Sequence, residues 1–173
     1  MANNVRLFFA LWPEDAIRQS IVHHTKPLLT GVHHRIKPAN LHITLAFVGS
    51  VEKTNLPCFI RAADSIQARH FKLQLDQSGC FSRARMLWLG CSSFPDKLNR
   101  LVEELNTKLE VCGYRADKRP FTPHVSLARK YHRSEPPEFN DRIVWKVNSF
   151  SLVESRSIDS GVEYHVLNSW ALG

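Results

Sequence analysis

Two segments of the chain repeat the same order of residue types about half a chain length apart. The first is residues 38–46, PANLHITLA, and the second is residues 120–128, PFTPHVSLA. In each, a turn containing proline precedes a short apolar stretch that begins with a histidine. A chain with this repeat has to place two similar strands, and we expect two similar lobes that meet at a shared cleft.

The histidine of each segment is followed two residues later by a hydroxyl residue. Residues i and i+2 of a strand point to the same face, so His42 points with Thr44 and His124 with Ser126. The apolar residues between them point to the other face, into a core. Each strand therefore offers one imidazole and one hydroxyl to the cleft.

The remaining periodicity mixes strands and helices without the regular alternation of a doubly wound sheet. Apolar alternation predicts strands over residues 5–11, 41–48 (closed by Gly49), 71–75, 86–89, 124–128, 144–154 and 162–170. Helical spacing predicts helices over residues 13–31, 56–68 and 98–109. We predict one α+β domain over residues 1–173, with mainly antiparallel sheets around a central cleft and helices on the outside.

Charge and cysteine content narrow the class of protein. The net charge of +7 favours an anionic partner such as nucleic acid, although solubility alone would also account for it. No run approaches the roughly 20 apolar residues of a membrane span, and no signal peptide is recognisable. We therefore expect a cytoplasmic protein whose four cysteines are reduced thiols, namely Cys58, Cys80, Cys91 and Cys112.

The pattern of a histidine followed two residues later by Ser or Thr is weak by itself, because short motifs match by chance. It occurs four times, at His23, His42, His124 and His132. Only His42 and His124 have apolar residues at the second and fourth positions, and both follow a turn with proline at the same offset. The matched pair favours a functional site over two ordinary strand histidines, and the absence of an H-x-H pattern argues against a metal site.

Two imidazoles and two hydroxyls suit the opening of a cyclic phosphate. Because imidazole titrates near neutrality, one histidine can accept a proton from water while the other donates one to the leaving sugar oxygen. The hydroxyls can donate hydrogen bonds to the phosphoryl oxygens. No metal or other cofactor is obviously required.

The two H-x-[ST]-apolar tetrads resemble the signature of the two-histidine (2H) phosphoesterase superfamily. Three longer segments resemble its bacterial RNA 2′,3′-cyclic phosphodiesterase branch, also called 2′-5′ RNA ligase-like. They are RLFFAL at residues 6–11, NLHITLAFVG at residues 40–49 and RPFTPHVSLAR at residues 119–129. Residues 86–90, MLWLG, resemble the central strand of that family.

The resemblance implies hydrolysis of RNA 2′,3′-cyclic phosphate ends to 2′-phosphomonoesters by a protein of two α+β lobes. His42 would be the acid for the 3′-oxygen and His124 the base for water. Thr44, Ser126 and Arg129 would hold the phosphate, although Arg129 needs a bend in its strand to face the cleft.

The resemblance also implies that the aromatic ring of Phe8 stacks on the base, with core packing as the open alternative. The partner would be RNA, tRNA fragments among the candidates, and we expect a monomer. Two other functions stay open: 2′-5′ ligation, with a ribose hydroxyl in place of water, and a non-catalytic RNA-binding module.

Overall fold

The computed structural model describes residues 3–173, which form nine strands and three α-helices. The strands are β1 (Asn4–Leu11), β2 (Ile43–Glu52), β3 (Phe71–Leu75), β4 (Gln77–Phe81), β5 (Met86–Gly90), β6 (His124–Ala128), β7 (Ile143–Val147), β8 (Ser149–Ile158) and β9 (Gly161–Ala171). The helices are α1 (Asp15–Thr25), α2 (Leu56–Asp64) and α3 (Asp96–Leu109). Short 3₁₀ turns, among them Pro38–Asn40 and Glu110–Cys112, complete the regular structure.

Seven strands form one sheet in the order β4-β5-β6-β2-β1-β8-β9, and β3 pairs with β7 in a second sheet. Every pairing between described strands is antiparallel, so the predicted α+β class with mainly antiparallel sheets is confirmed. The large sheet has a weak seam, because β2 and β6 meet through the single pair Ile43 and Val125. On one side of the seam lie β4, β5 and β6, and on the other lie β2, β1, β8 and β9.

The predicted strand over residues 144–154 is two strands in different sheets, with the break at Asn148. In β7, buried residues alternate with exposed ones, because one face of the small sheet meets solvent. In β8, four consecutive residues from Phe150 to Val153 are buried. In a strand that is covered on both faces, buried and exposed residues do not alternate. The sequence pattern therefore gave no sign of the break between β7 and β8.

Other predicted boundaries also shift. Strand β2 does not end at Gly49 but continues to Glu52, and Gly49 takes a φ of +84° beside a register shift against β1. Glycine suits that positive φ because it has no Cβ. Helix α1 ends at Thr25 before a 3₁₀ turn that begins at Pro27, and α2 ends at Asp64. Strand β4 was not predicted.

One buried apolar cluster runs through most of the chain, from Val5 to Leu172. Helix α3 contributes a stripe of buried residues at helical spacing: Leu98, Leu101, Val102, Leu105 and Leu109. The helix contacts both β2 and α2, and thereby covers one side of the strand that follows His42. No helix within residues 3–173 is long and apolar enough to cross a membrane.

The expectation of four reduced thiols is wrong for one pair of cysteines. Cys58 in α2 and Cys112 in the turn after α3 form a disulfide, with their Cα atoms 5.8 Å apart. Cys80 and Cys91 are free. Because 54 residues separate Cys58 from Cys112, only the packing of α2 against α3 and the turn after it brings the two side chains together.

Candidate active site

Four predicted side chains meet at the seam between β2 and β6. Because Ile43 lies opposite Val125 in antiparallel register, position 42 faces position 126 and position 44 faces position 124. These four positions share one face of the sheet. The opposite face holds Ile43 and Val125, both fully buried, so the core anchors both strands. The prediction that both histidines and both hydroxyls face a common cleft agrees with this register.

Both histidine rings are oriented by the same local hydrogen bond. Nδ1–H of His42 donates to the carbonyl oxygen of Asn40 at 2.7 Å, and Nδ1–H of His124 donates to that of Thr122 at 2.7 Å. A carbonyl oxygen only accepts, so Nδ1 carries the proton in each neutral ring and Nε2 is left with a lone pair. The Thr44 hydroxyl donates to Nε2 of His42 at 3.1 Å.

Aromatic rings surround His42. Its ring lies 4.8 Å from that of Phe8, 5.5 Å from that of Trp12, which is stacked, and 5.2 Å from that of Tyr164, which is perpendicular. Desolvation by this burial lowers the pKa of His42 from 6.5 to about 4. The hydrogen bond to Asn40 raises the pKa, and the nearby charge of His124 lowers it further.

His124 has a similar but thinner aromatic surround. Phe81 lies edge-on at 4.9 Å between ring centroids, and Trp88 lies at 6.2 Å. Burial lowers the pKa of His124 as well, and the hydrogen bond to Thr122 opposes that effect. Both imidazoles are therefore held toward the neutral form in the unliganded protein.

Two cavities border the four side chains. One of about 470 Å³ is lined by His42, Thr44 and Ser126 together with basic residues and part of β9: His34, Arg35, Lys37, Arg129, Lys130 and Tyr164 among others. The other, of about 900 Å³, is lined by Thr44 and His124, by several aromatic residues and by the charged residues Arg83, Asp117 and Arg119; the aromatic residues are Phe47, Phe81, Tyr114 and Phe121. Thr44 lies between the two, so the cleft has a basic side and an aromatic side.

Arg129 reaches the basic cavity as a predicted phosphate ligand would. Strand β6 has a register shift against β5, in which Trp88 pairs with Ser126 and Leu87 with Ala128, so Leu127 is an extra residue and the alternation changes before Arg129. Its backbone N–H donates to the carbonyl oxygen of His34 at 2.8 Å. The Arg129 side chain is exposed beside Ser126.

Phe8 has little free surface on which a base could stack, and the stacking role implied for it stays a prediction. It is only 3% exposed, and its ring packs on His42 and edge-on against Tyr164 at 5.0 Å. The open alternative, core packing, describes its position. The exposed aromatic residue beside the site is Phe47, which is 53% exposed and has the Arg6 guanidinium over its ring at 5.0 Å.

Sequence reasoning missed most of the groups that set the properties of the histidines. Trp12 and Tyr164 at His42, and Phe81 at His124, belong to no motif and come from distant parts of the chain, and Trp88 lies in the segment 86–90, for which a strand but no site role was predicted. The carbonyl acceptors Asn40 and Thr122 had a signal, since both lie two residues before a histidine in the repeated segments. Within residues 3–173, no group of three or more His, Cys, Asp or Glu is placed to hold a metal ion.

A family model and two similar proteins of known name all relate this chain to the same family. The family model described as the 2′-5′ RNA ligase superfamily matches residues 13–158. The RNA 2′,3′-cyclic phosphodiesterase of Escherichia coli K12 is 33% identical, with 99% of each chain covered. The protein of the same name from Archaeoglobus fulgidus is 31% identical, over 94% of this chain and 92% of its own.

A solved structure shows the same architecture. The crystal structure of Escherichia coli LigT complexed with 3′-AMP superimposes with a TM-score of 0.90 at 30% sequence identity. The match covers 98% of this chain and 99% of that one. The relation therefore extends over the whole fold and is not confined to the two histidine strands.

Proposed function

Because this chain belongs to the 2′-5′ RNA ligase superfamily, we propose that it hydrolyses RNA 2′,3′-cyclic phosphate ends to 2′-phosphomonoesters by metal-independent acid–base catalysis. The observation that carries the proposal is the matched pair of imidazoles beside two hydroxyls. Each has Nδ1 bound to a backbone carbonyl oxygen and Nε2 available for proton transfer. The names of its relatives and the 3′-AMP complex of the Escherichia coli protein support the substrate class.

In the proposed reaction, His124 acts as the base and His42 as the acid. Nε2 of His124 takes a proton from water, the water oxygen bonds to phosphorus, and the bond from phosphorus to the 3′-oxygen breaks. Nε2–H of His42 gives its proton to the departing 3′-oxygen, and the phosphate stays on the 2′-oxygen. This order of roles comes from the family resemblance, since the two histidines are chemically equivalent as acid and base.

His42 must be protonated before it can serve as an acid, although burial lowers its pKa. The bound cyclic phosphate supplies a negative charge close to Nε2, and an adjacent anion favours the imidazolium form. Once Nε2 carries a proton, it no longer accepts from Thr44, and that hydroxyl can donate to a phosphoryl oxygen. Ser126 and Arg129 would provide further donors from the basic side.

With the departing 3′-oxygen at His42, the ribose lies on the basic side, and the base can extend past Thr44 to the aromatic side of the cleft. Phe47 lines the 900 Å³ cavity that also opens on Thr44 and His124, and one face of its ring is backed by Arg6. An exposed aromatic ring beside a phosphate site is suited to stacking on a base. Because Phe47 is 53% exposed and Phe8 only 3%, Phe47 is the ring that we propose to stack on the base.

Substitution of each histidine tests the acid–base pair. His42→Ala and His124→Ala should each lower kcat by roughly 10²–10⁴-fold on a 2′,3′-cyclic nucleotide, because each removes one proton-transfer group. Circular dichroism and the urea midpoint serve as folding controls, with His23→Ala as a matched exposed histidine outside the cleft. Near-native turnover by either cleft variant would rule out the pair.

The product and the metal requirement test the rest of the mechanism. Phosphorus NMR should identify a 2′-phosphate, and a 3′-phosphate would exchange the two assigned roles while leaving the pair intact. Turnover should persist in chelator. A strict need for a divalent ion would refute the metal-independent mechanism.

Two alternatives have separate tests. For 2′-5′ ligation, a ribose 5′-hydroxyl would replace water, and a 2′-5′-linked product should form when an oligonucleotide with a free 5′-hydroxyl is added. A non-catalytic RNA-binding module would bind cyclic-ended RNA without turnover.

We also propose that the chain acts as a monomer with two lobes, because one chain supplies both histidines; sedimentation would test this. A cytoplasmic location, where tRNA fragments are among the candidate substrates, is part of the same proposal.

A further inference from the structure

A second basic cavity adjoins the one beside the two histidines. It measures about 270 Å³, and it shares the lining residues His34 and Lys130 with the cavity of about 470 Å³. The two linings together include five lysine and arginine residues: Arg35, Lys37, Arg129, Lys130 and Arg133. None of the described residues that line them is Asp or Glu. We call these two adjoining cavities the basic track.

The basic track is attached to the strand that carries His124 and Ser126. The carbonyl oxygen of Leu127 in β6 accepts from Ile36 N–H at 2.8 Å, and Arg35 pairs with Ala128 in an antiparallel bridge. Further along, Tyr131 N–H donates to the carbonyl oxygen of Arg85 at 2.9 Å. The backbone of the track is therefore held in register with the proposed phosphate site.

Some cations of the track donate hydrogen bonds to backbone carbonyl oxygens, and others do not. Arg35 donates to the carbonyl oxygens of Val32 and Leu29, and Arg133 donates to that of Thr30, so both also hold the loop. Lys37 and Lys130 are exposed and have no salt bridge with a residue in the described part of the chain. Their charges are available to a ligand.

The acidic residues nearest to the track along the chain form no salt bridge with its lysines or arginines in the described part of the chain. Asp159 and Glu163 flank the lining segment 160–162 but do not line the cavities. A carboxylate oxygen of Glu163 lies 3.3 Å from Nε2 of His165, outside the track. Within residues 3–173, no carboxylate forms a salt bridge with a lysine or arginine of the track.

We propose that the basic track binds the RNA strand on the 5′ side of the cyclic end, through its backbone phosphates. This inference rests on the proposed function, since the cyclic phosphate has to occupy the site of His42 and His124 first. Thr44, Ser126 and Arg129 are sufficient to bind a single cyclic phosphate. The cations beyond them are therefore available to bind further anions. In RNA that ends in a cyclic phosphate, the further anions are the phosphates upstream of that end.

The salt dependence of binding measures these contacts directly. The affinity of a single strand falls with a log–log slope of about −0.7 per phosphate contact. We would compare a cyclic-ended hexanucleotide with a cyclic mononucleotide by fluorescence anisotropy and turnover. The variant is Lys37→Gln with Lys130→Asn, because asparagine tolerates the positive φ at position 130.

A matched control removes the same charge from another face. Lys72 and Lys146 lie opposite each other in the small sheet of β3 and β7, are exposed, and line neither cavity of the track. The control is Lys72→Gln with Lys146→Gln. It separates contacts at the track from the effect of net charge.

The track variant should reduce the slope for the hexanucleotide by about 0.7 for each lysine removed, and should weaken binding about 25-fold at 0.1 M salt. Its affinity for the cyclic mononucleotide should fall much less than its affinity for the hexanucleotide, because the mononucleotide has no upstream phosphates. An unchanged slope, or an equal loss in the control variant, would overturn the proposal. Absence of mononucleotide turnover in the wild type would refute the proposed function instead, while the hexanucleotide slopes would still decide whether the track binds RNA.

Discussion

At the scale of single residues, the same kind of hydrogen bond orients both histidine rings, and the two rings differ in the residues that surround them. Each ring donates through Nδ1 to the carbonyl oxygen two residues before it, which orients Nε2 without a carboxylate partner. A carboxylate would have stabilised the imidazolium form, whereas burial among aromatic rings favours the neutral form. Both pKa values are lowered, that of His42 to about 4.

The pH dependence of activity should follow from these pKa values. The profile of kcat/KM reports the free protein, which must have one imidazole neutral and the other protonated. Because both pKa values lie below the usual 6.5, the bell should have its maximum on the acid side of 6.5. The profile of kcat should lie at higher pH, since the bound anion raises both pKa values. A kcat/KM maximum above pH 7 would contradict this.

Two phenylalanines beside the site should respond in opposite ways to substitution. Phe47→Leu removes an exposed ring, and should raise KM for a cyclic nucleotide by about tenfold with little change in stability, whereas Phe47→Trp should restore binding. Phe8→Ala empties a buried position against His42, and should cost about 3–5 kcal/mol in the free energy of unfolding. Steady-state kinetics and urea unfolding measure both. If Phe8→Ala leaves the free energy of unfolding unchanged and raises only KM, then Phe8 stacks on the base.

At the scale of elements, the hairpin of β4 and β5 positions the surroundings of His124. Trp88 in β5 lies across Gly79 in β4, and its ring also contacts Phe81. A Cβ at Gly79 would lie 2.0 Å from Cζ2 of the Trp88 indole. The absence of a side chain at position 79 therefore leaves space for the Trp88 ring, which lies beside His124 of β6.

Gly79→Ala should consequently disturb both stability and catalysis. The added methyl group has to displace the indole, which should cost about 1–3 kcal/mol and lower kcat through His124. Gly113→Ala is a useful control, because a Cβ there meets nothing within 4 Å and the positive φ of +81° is the sole strain. It should lower stability without changing kcat. Equal kcat values in the two variants would argue against a positioning role for Trp88.

At the scale of the whole molecule, the Cys58–Cys112 disulfide joins α2 to the end of α3. It spans 54 residues of sequence, and a closed loop of that length restricts the unfolded chain by about 4 kcal/mol at 25 °C. Reductant should lower the free energy of unfolding by an amount of that order. The double variant Cys58→Ser with Cys112→Ser should be insensitive to reductant, and urea unfolding measures all four conditions. Identical midpoints for the wild type with and without reductant would show that the bond does not form in solution.

Local patterns were sufficient to predict the antiparallel α+β class, the orientation of Thr44, His124 and Ser126 within their strands, and that of His42 immediately before β2. The reason is that side-chain direction in a strand depends on period 2, which a few consecutive residues already display. The turn containing proline before each histidine was equally visible. These features depend on neighbours along the chain.

Tertiary structure alone decided the features that depend on distant residues. Cys58 and Cys112 pair because two helices pack together, and Phe8 is buried because Tyr164 and His42 cover it. Phe47 and Phe8 are the same residue type and both lie on strands. Only the elements packed around them make the Phe47 ring exposed and the Phe8 ring buried. Burial is a property of the whole packed chain. The lowered histidine pKa values follow from burial, and the basic and aromatic sides of the cleft follow from the packing of the same elements.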